Sequence, residues 1–373
     1  MNVIFTCGGT GGHINPAIAL ANTLRSHDPN VNILFVGCVG EMEEQLVPKA
    51  GYEIRCLPGS RFFRQLNFKN VKRNVQGVGR ILAALKGAKK IIAEFKPDVI
   101  VGTGGYASFP ALFMGSRMGI PTCVHEANAV PGLATRLAAG SADKILVNFA
   151  ESGRAYKQQD KVICVGMPVR SEFLLTRRED ARRELGLDAR PLIVSAFGSL
   201  GAKAMNETMA DFMKLEQDKG LPFQHIHATG SYGWEWMPGL VREKGVDLQE
   251  GSIDMREYIY NMPTLMAAAD VFISRAGASS CNEIAVSGTP CILIPSPNVT
   301  DNHQEKNARI VENRGGCVLV LEKECSAQRL YTEVEALLAD GERRKAMRKA
   351  LIESSMPDSA ERICAIIREL AKK

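Results

Sequence analysis

The stretch Cys7-Gly8-Gly9-Thr10-Gly11-Gly12-His13 combines what anion binding needs with a titratable side chain. It follows the apolar run Val3-Ile4-Phe5 and precedes Pro16 to Leu24, whose apolar spacing reads as a helix. Glycines at a strand-to-helix junction let the backbone turn tightly and approach a ligand, and the free N–H groups and dipole of a helix start attract anions. The loop reads as a phosphate or pyrophosphate cradle, the alternative being an ordinary turn of an α/β protein. Two nucleotide signatures do not fit. Counted from Gly9 and Gly11, the third glycine of a dinucleotide fingerprint falls on Ile14, and Gly12 is followed by His13 where a P-loop needs lysine. His13 is either a cap or packing residue or, kept neutral by the positive helix end, a general base.

Further residues of the same kind recur along the chain. Gly102-Thr103-Gly104-Gly105-Tyr106-Ala107-Ser108 follows Asp98 to Val101, a second strand-to-glycine junction, and two such loops can converge on one polyanionic group. The strand Pro121 to Val124 delivers His125-Glu126-Ala127-Asn128 just past its end, where Glu126 is the second candidate base. In the second half, Gly198-Ser199-Leu200-Gly201-Ala202 and Arg275-Ala276-Gly277-Ala278-Ser279 again open helices, and His303-Gln304 lies near the start of another.

The elements that must position these residues alternate throughout. Strands are predicted at Val31–Gly37, Lys144–Phe149 and Lys161–Val165 in the first half. In the second they fall at Leu192–Phe197, His225–Thr229, near Val246–Gln249, Asp270–Ser274 and Pro290–Pro295. Helices between them imply two doubly wound, mostly parallel α/β domains facing across a cleft. The boundary is placed near residue 165, with 1–165 and 166–356 as the domains and a last helix within 357–373 packing back on the first.

At 373 residues the chain has room for two cores, and 45% apolar with 23% charged residues marks a globular protein. Its ten cysteines are scattered without a C-x-x-C pair, which argues for buried, reduced thiols rather than zinc or disulfides. The apolar run before the first glycines is too short to predict a signal peptide, and no stretch approaches a membrane span. The net charge of +5 is uneven. From Arg55 to Lys96 there are Arg55, Arg61, Arg64, Lys69, Lys72, Arg73, Arg80, Lys86, Lys89, Lys90 and Lys96 against the single acid Glu94, interleaved with Phe62, Phe63, Leu66 and Phe68. Such a segment either rests on an anionic membrane or forms a solvated helix face. No nucleic-acid motif accompanies it, so no nucleic-acid partner is expected.

Six motifs occur in order: Gly8-Gly9-Thr10-Gly11-Gly12-His13, Gly102-Thr103-Gly104-Gly105-Tyr106, His125-Glu126-Ala127-Asn128, Val165-Gly166-Met167-Pro168-Val169-Arg170, Arg275-Ala276-Gly277-Ala278 with Glu283, and His303-Gln304 with Asn307-Ala308. Together they resemble, over nearly the whole chain, the bacterial peptidoglycan N-acetylglucosaminyltransferases of the MurG family. The resemblance implies a GT-B fold and inverting transfer of N-acetylglucosamine from UDP-GlcNAc to the 4-hydroxyl of the muramic acid sugar of lipid I, giving lipid II and UDP. By motif position it implies that Glu283 holds the ribose hydroxyls and the backbone near Ile259 the uracil. Arg170, Ser199, Arg275, Gly277, Ala278, Ser279, His303 and Gln304 would take the diphosphate and sugar, with Thr10, Gly11, Gly12 and Asn128 completing the donor contacts. The acceptor pyrophosphate would lie against Gly9, Thr10, Gly104, Gly105 and Tyr106. The resemblance also implies no cofactor, peripheral docking of the basic segment on the anionic inner leaflet at the cytoplasmic face, and contact with cell-wall synthesis and division proteins.

Elementary chemistry agrees with a metal-independent transfer. The leaving diphosphate must be neutralised by a metal on carboxylates or by helix ends and basic groups; no D-x-D occurs, whereas Arg275 and helix-opening loops do. The family's G-G-S-Q-G-A loop reads Phe197-Gly198-Ser199-Leu200-Gly201-Ala202 here, and its serine after the loop arginine is Ala276. These departures suggest a rival, a binding protein without turnover, and a UDP-GlcNAc 2-epimerase would share the fold. Between His13 and Glu126 as base the sequence does not choose.

Overall fold

The computed structural model describes residues 1–59, 68–248 and 252–372, without the side chains of 68–78. Arg61, Phe62, Phe63, Arg64 and Gln65, and the side chains of Lys69, Lys72 and Arg73, lie outside the described residues. The chain forms two units, 1–169 with 356–373 and 170–355, the division falling after Val169.

The first unit holds a seven-stranded sheet of β1 (Asn2–Cys7), β2 (Asn32–Cys38), β3 (Glu53–Leu57), β4 (Val99–Gly104), β5 (Thr122–Glu126), β6 (Lys144–Val147) and β7 (Val162–Cys164). All neighbours are parallel, in the order β3-β2-β1-β4-β5-β6-β7. Parallel strands covered on both faces need near-continuous apolar runs, which is why Val3, Ile4 and Phe5 are all fully buried. On one side Val3, Phe5 and Val101 pack with Leu20 and Leu24 of α1 (Gly11–His27). On the other, Ile4, Ile100 and Val124 pack with residues of α3 (Phe68–Phe95) and α4 (Ser108–Arg117). Of the remaining helices, α2 (Glu43–Lys49) follows β2, and α5 (Leu133–Ala139) follows β5. The chain runs outward from β1 in one direction and resumes on its other side at β4, so the topological switch lies between the two strands that carry the glycine loops.

The second unit repeats the plan with β8 (Leu192–Ala196), β9 (Gln224–Ala228), β10 (Ile253–Arg256), β11 (Val271–Ser274), β12 (Cys291–Leu293) and β13 (Val318–Leu319), ordered β10-β9-β8-β11-β12-β13. Its switch lies between β8 and β11, which feed α6 (Lys203–Asp218) and α7 (Ala278–Ser287); α8 (His303–Asn313) follows β12. The last helix, α9 (Ser359–Leu370), belongs to the first unit: Ile363, Cys364, Ile367 and Leu370 form a fully buried stripe, Cys364 Sγ donates to Leu20 O at 3.7 Å, and His27 pairs with Glu361 at 2.8 Å.

Strand expectations differ at several points, and β13, like β3, was not expected from the sequence. Residues 246–248 form no strand; Val246 instead buries itself just past a helix end, and the strand comes later at β10. β3 was not expected from the sequence because its Glu-Ile-Arg-Cys-Leu has the weak alternation of a sheet edge. His125 and Glu126 are the last two residues of β5, paired with Leu146 and Val147, rather than past the strand's end.

Candidate functional site

In the first unit the two glycine loops interlock. Thr6 pairs with Gly102 but Cys7 with Gly104, a bulge that sets Thr103 aside to donate its hydroxyl to His13 O at 2.7 Å. Gly105 lies so close to the first loop that a Cβ there would sit 2.2 Å from Gly8 O, and one on Gly104 would sit 2.6 Å from His13 Cδ2. Both have positive φ, so only glycine fits without strain. Ser108 Oγ ties the strand ends together, donating to Thr6 O at 3.0 Å and Gly104 O at 2.7 Å.

That packing fixes His13. Its Nδ1 lies 2.9 Å from Gly8 O, and a carbonyl can only accept, so Nδ1 carries the proton. In the neutral imidazole the lone pair then sits on Nε2, the form a general base requires. Glu126 has a different fate. It is 3% exposed; Oε1 accepts from Asn128 N at 2.9 Å and Oε2 from Gly132 N at 3.0 Å, so the carboxylate shapes the loop between β5 and α5. His125 is buried with Nε2 2.8 Å from Gly166 O, and burial holds its pKa below the ordinary range.

One residue the sequence reading passed over is central here. Glu43, at the start of α2 and fully buried, accepts from Gly9 N at 2.9 Å and from Cys38 N at 2.8 Å. The N–H of Gly9, read as an acceptor contact, is therefore engaged by a protein carboxylate. A glutamate opening a helix shortly after a strand was the only sequence signal for it. Tyr106 stands 48% exposed on the second loop.

The second unit gathers the other group. Gly198 and Gly201 turn the loop after β8, with Gly201 N donating to Gly198 O at 3.0 Å and Ser231 N to Ser199 O at 3.2 Å. Gly277, just past β11, is the N-cap of α7, with no side-chain cap on the first N–H groups of the helix. Arg275 is paired with Glu322 and donates to Ile294 O at 3.1 Å, so its guanidinium braces the loop. Ala276 O accepts from Asn307 Nδ2 at 3.1 Å, and Gln304 Oε1 accepts from Ser296 N at 2.9 Å, which fastens α8 to the same strand ends. His303 Nδ1 donates to Thr300 O at 2.9 Å. Burial raises the Glu283 carboxyl to about 7, opposed by the charge of Arg170. Ile259 is buried between Tyr258 and Tyr260, whose exposed rings stack edge to face at 4.8 Å. Thus Arg170, Ser199, Ile259, Arg275 to Ser279, Glu283, His303 and Gln304 belong to the second unit. Gly9 to His13, Gly104 to Tyr106, Glu126 and Asn128 belong to the first. Among the described residues no group of three His, Cys, Asp or Glu side chains is placed to hold a metal ion.

Comparison with known proteins places the chain in a family. The glycosyltransferase family 28 N-terminal domain matches residues 3–147 and the family 28 C-terminal domain residues 192–363. A relative from Acetivibrio thermocellus, named UDP-N-acetylglucosamine--N-acetylmuramyl-(pentapeptide) pyrophosphoryl-undecaprenol N-acetylglucosamine transferase, is 39% identical over 100% of this chain and 99% of its own. One of the same name from Halalkalibacterium halodurans is 34% identical over the full length of both. Among solved structures, Acinetobacter baumannii MurG superposes with a TM-score of 0.76 at 23% identity, covering 99% of each chain. The UDP-GlcNAc 2-epimerase of Neisseria meningitidis reaches 0.66 at 14% identity over 99% of this chain and 100% of its own, a likeness of fold. Two Rossmann-like units of this kind are the GT-B architecture, and the chain belongs to the MurG family of family 28 glycosyltransferases.

Proposed function

We propose that this chain transfers N-acetylglucosamine from UDP-GlcNAc to the 4-hydroxyl of the N-acetylmuramyl sugar of a pyrophosphoryl-undecaprenol acceptor, releasing UDP, as its full-length relatives are named for doing. The observation that carries the mechanism is the 2.9 Å contact of His13 Nδ1 with Gly8 O, which leaves Nε2 as the nitrogen for the base. The acceptor oxygen attacks the anomeric carbon on the face opposite UDP and gives its proton to His13 Nε2. The bond from that carbon to the UDP oxygen breaks, and its electron pair leaves with UDP, inverting the configuration. The leaving charge falls to the N-terminal N–H groups of α7, the Ser199 loop and Arg170, while Arg275 keeps the α7 loop in place. Glu283 takes the ribose hydroxyls, the backbone at Ile259 the uracil, and Gln304 the sugar. The acceptor pyrophosphate lies against Thr10 and the Gly104-Gly105-Tyr106 loop. Both Glu126 oxygens accept from backbone N–H groups, which favours His13 over Glu126 as the base.

Among the described residues no helix is long and apolar enough to cross a membrane. Exposed Arg80, Lys86, Lys89 and Lys90 on α3 support peripheral docking on anionic lipid at the cytoplasmic face. The anomeric configuration of the product, read by NMR from UDP-GlcNAc and a lipid-linked acceptor, tests the reading. A β-linkage to the 4-hydroxyl is expected; an α-linkage, or UDP-N-acetylmannosamine formed without acceptor, overturns it.

A further inference from the structure

Beside the second glycine loop the first unit carries an apolar groove that the transfer chemistry leaves unused. Leu57 at the end of β3, Ile81 of α3, Phe109 of α4, and Leu133 and Leu137 of α5 line it, and Tyr106 of the glycine loop closes one side. Tyr106, Leu133 and Leu137 are each about half exposed, an apolar cluster at a water-facing surface of the kind that marks a ligand site.

Three observations name the occupant. Tyr106 belongs to both the loop read as the pyrophosphate site and the groove, so the apolar surface begins where the anion site ends. In the acceptor named for the relatives, the polyprenyl chain is joined directly to the pyrophosphate, so the lipid must leave that loop within a bond or two. The helix that turns Ile81 and Ala84 into the groove exposes Arg80, Lys86, Lys89 and Lys90 elsewhere, cations suited to the phosphates and headgroups around such a chain. A bilayer would meet outward side chains such as Leu82, 62% exposed, whereas Ala84 at 2% is reached only from inside the depression. We propose that this groove binds the first prenyl units of the acceptor's lipid, an inference that rests on the transferase reading above.

The test compares a detergent-solubilised acceptor bearing a long polyprenyl chain with a short-chain one whose pyrophosphate is esterified with methyl and carries no prenyl unit, in the full-length protein. Leu137→Asp places a charge on the groove wall, and Ala134→Phe fills the groove without losing apolar surface. Both are expected to lower the ratio of kcat/KM for the long-chain over the short-chain acceptor by roughly tenfold, the scale of about two buried methylenes. Ala134→Phe should do so while binding to anionic vesicles is kept. Transfer to both acceptors by the unsubstituted protein establishes the reading independently, so a defect blind to chain length overturns the groove alone. An unchanged ratio overturns it as well. So does a ratio that falls only in step with vesicle binding, which assigns the surface to membrane docking, or only with a change in oligomeric state, which assigns it to a second copy.

Discussion

Glu283 should make donor binding pH-dependent near neutrality, with a sign and size set by its surroundings. Burial on α7 raises its carboxyl to about 7, more than the Arg170 charge can offset. Ribose hydroxyls donate hydrogen bonds, which a carboxylate accepts better than its protonated form, so donor binding expels the proton. Apparent affinity therefore strengthens as pH rises and levels off above 7. With a free-state pKa of about 7, about one molecule in ten is ionised at pH 6 and about nine in ten at pH 8, so Kd should fall roughly tenfold across that interval, about 1.4 kcal/mol. The assay is calorimetric titration with UDP-GlcNAc, whose diphosphate is a diester and does not titrate there, in two buffers of different ionisation enthalpy. Roughly half a proton should be released per donor bound at pH 7. Glu283→Gln should bind as weakly at pH 8 as the wild type at pH 6, with a flat profile. A flat wild-type profile, proton uptake, or a slope that persists in the variant would refute the reasoning.

Three other substitutions and one titration probe the remaining site. His13→Ala should lower kcat by roughly 10²-fold or more, the scale of losing a general base, with the Kd for UDP-GlcNAc unchanged. Glu126→Gln should keep kcat within a few-fold and instead lower Tm, because a carboxamide leaves one of the two loop N–H groups facing an amine; near-complete loss of turnover would move the base to Glu126. Glu43→Gln faces the same conflict at Gly9 N and Cys38 N and should cost about 1–3 kcal/mol in denaturant unfolding while lowering kcat/KM for the acceptor more than donor affinity; equal losses would detach Glu43 from the acceptor loop. Stability should also fall as pH drops below about 6.5. His125 and His227 are buried and held neutral, their folded pKa values depressed by burial, so the unfolded chain binds more protons there and each removes up to about 1.4 kcal/mol per pH unit. Glu216 and Glu283, their carboxyls raised by burial, oppose this above about 4.5, Glu283 up to about 7, so the fall is read in the Glu283→Gln variant, where unfolding curves independent of pH from 7.5 to 5.5 would contradict the sign.

The glycine loops were legible from the sequence because what they need is local: positive φ and close approach leave glycine alone at Gly104 and Gly105. Both lie at the switch point of the first unit's parallel sheet, which the alternation of apolar runs and helices predicted. Edge strands were harder. β3 pairs on one side only and alternates polar with apolar, so it lacks the continuous apolar run that betrays β1 or β4. The roles of particular carboxylates and cations were least legible, because they depend on partners far along the chain. Glu43 reaches Gly9 across 34 residues and Arg275 meets Glu322 across 47, so neither pairing shows in the local sequence. The choice between His13 and Glu126 became a geometric question once Gly8 O and the N–H groups of Asn128 and Gly132 were in place.

The central claim is tested most directly by UDP release from UDP-GlcNAc, with and without a lipid-linked N-acetylmuramyl acceptor, in the presence of a chelator. The account predicts acceptor-dependent release that survives chelation and is lost in His13→Ala. Release without acceptor, or none under either condition, would contradict it.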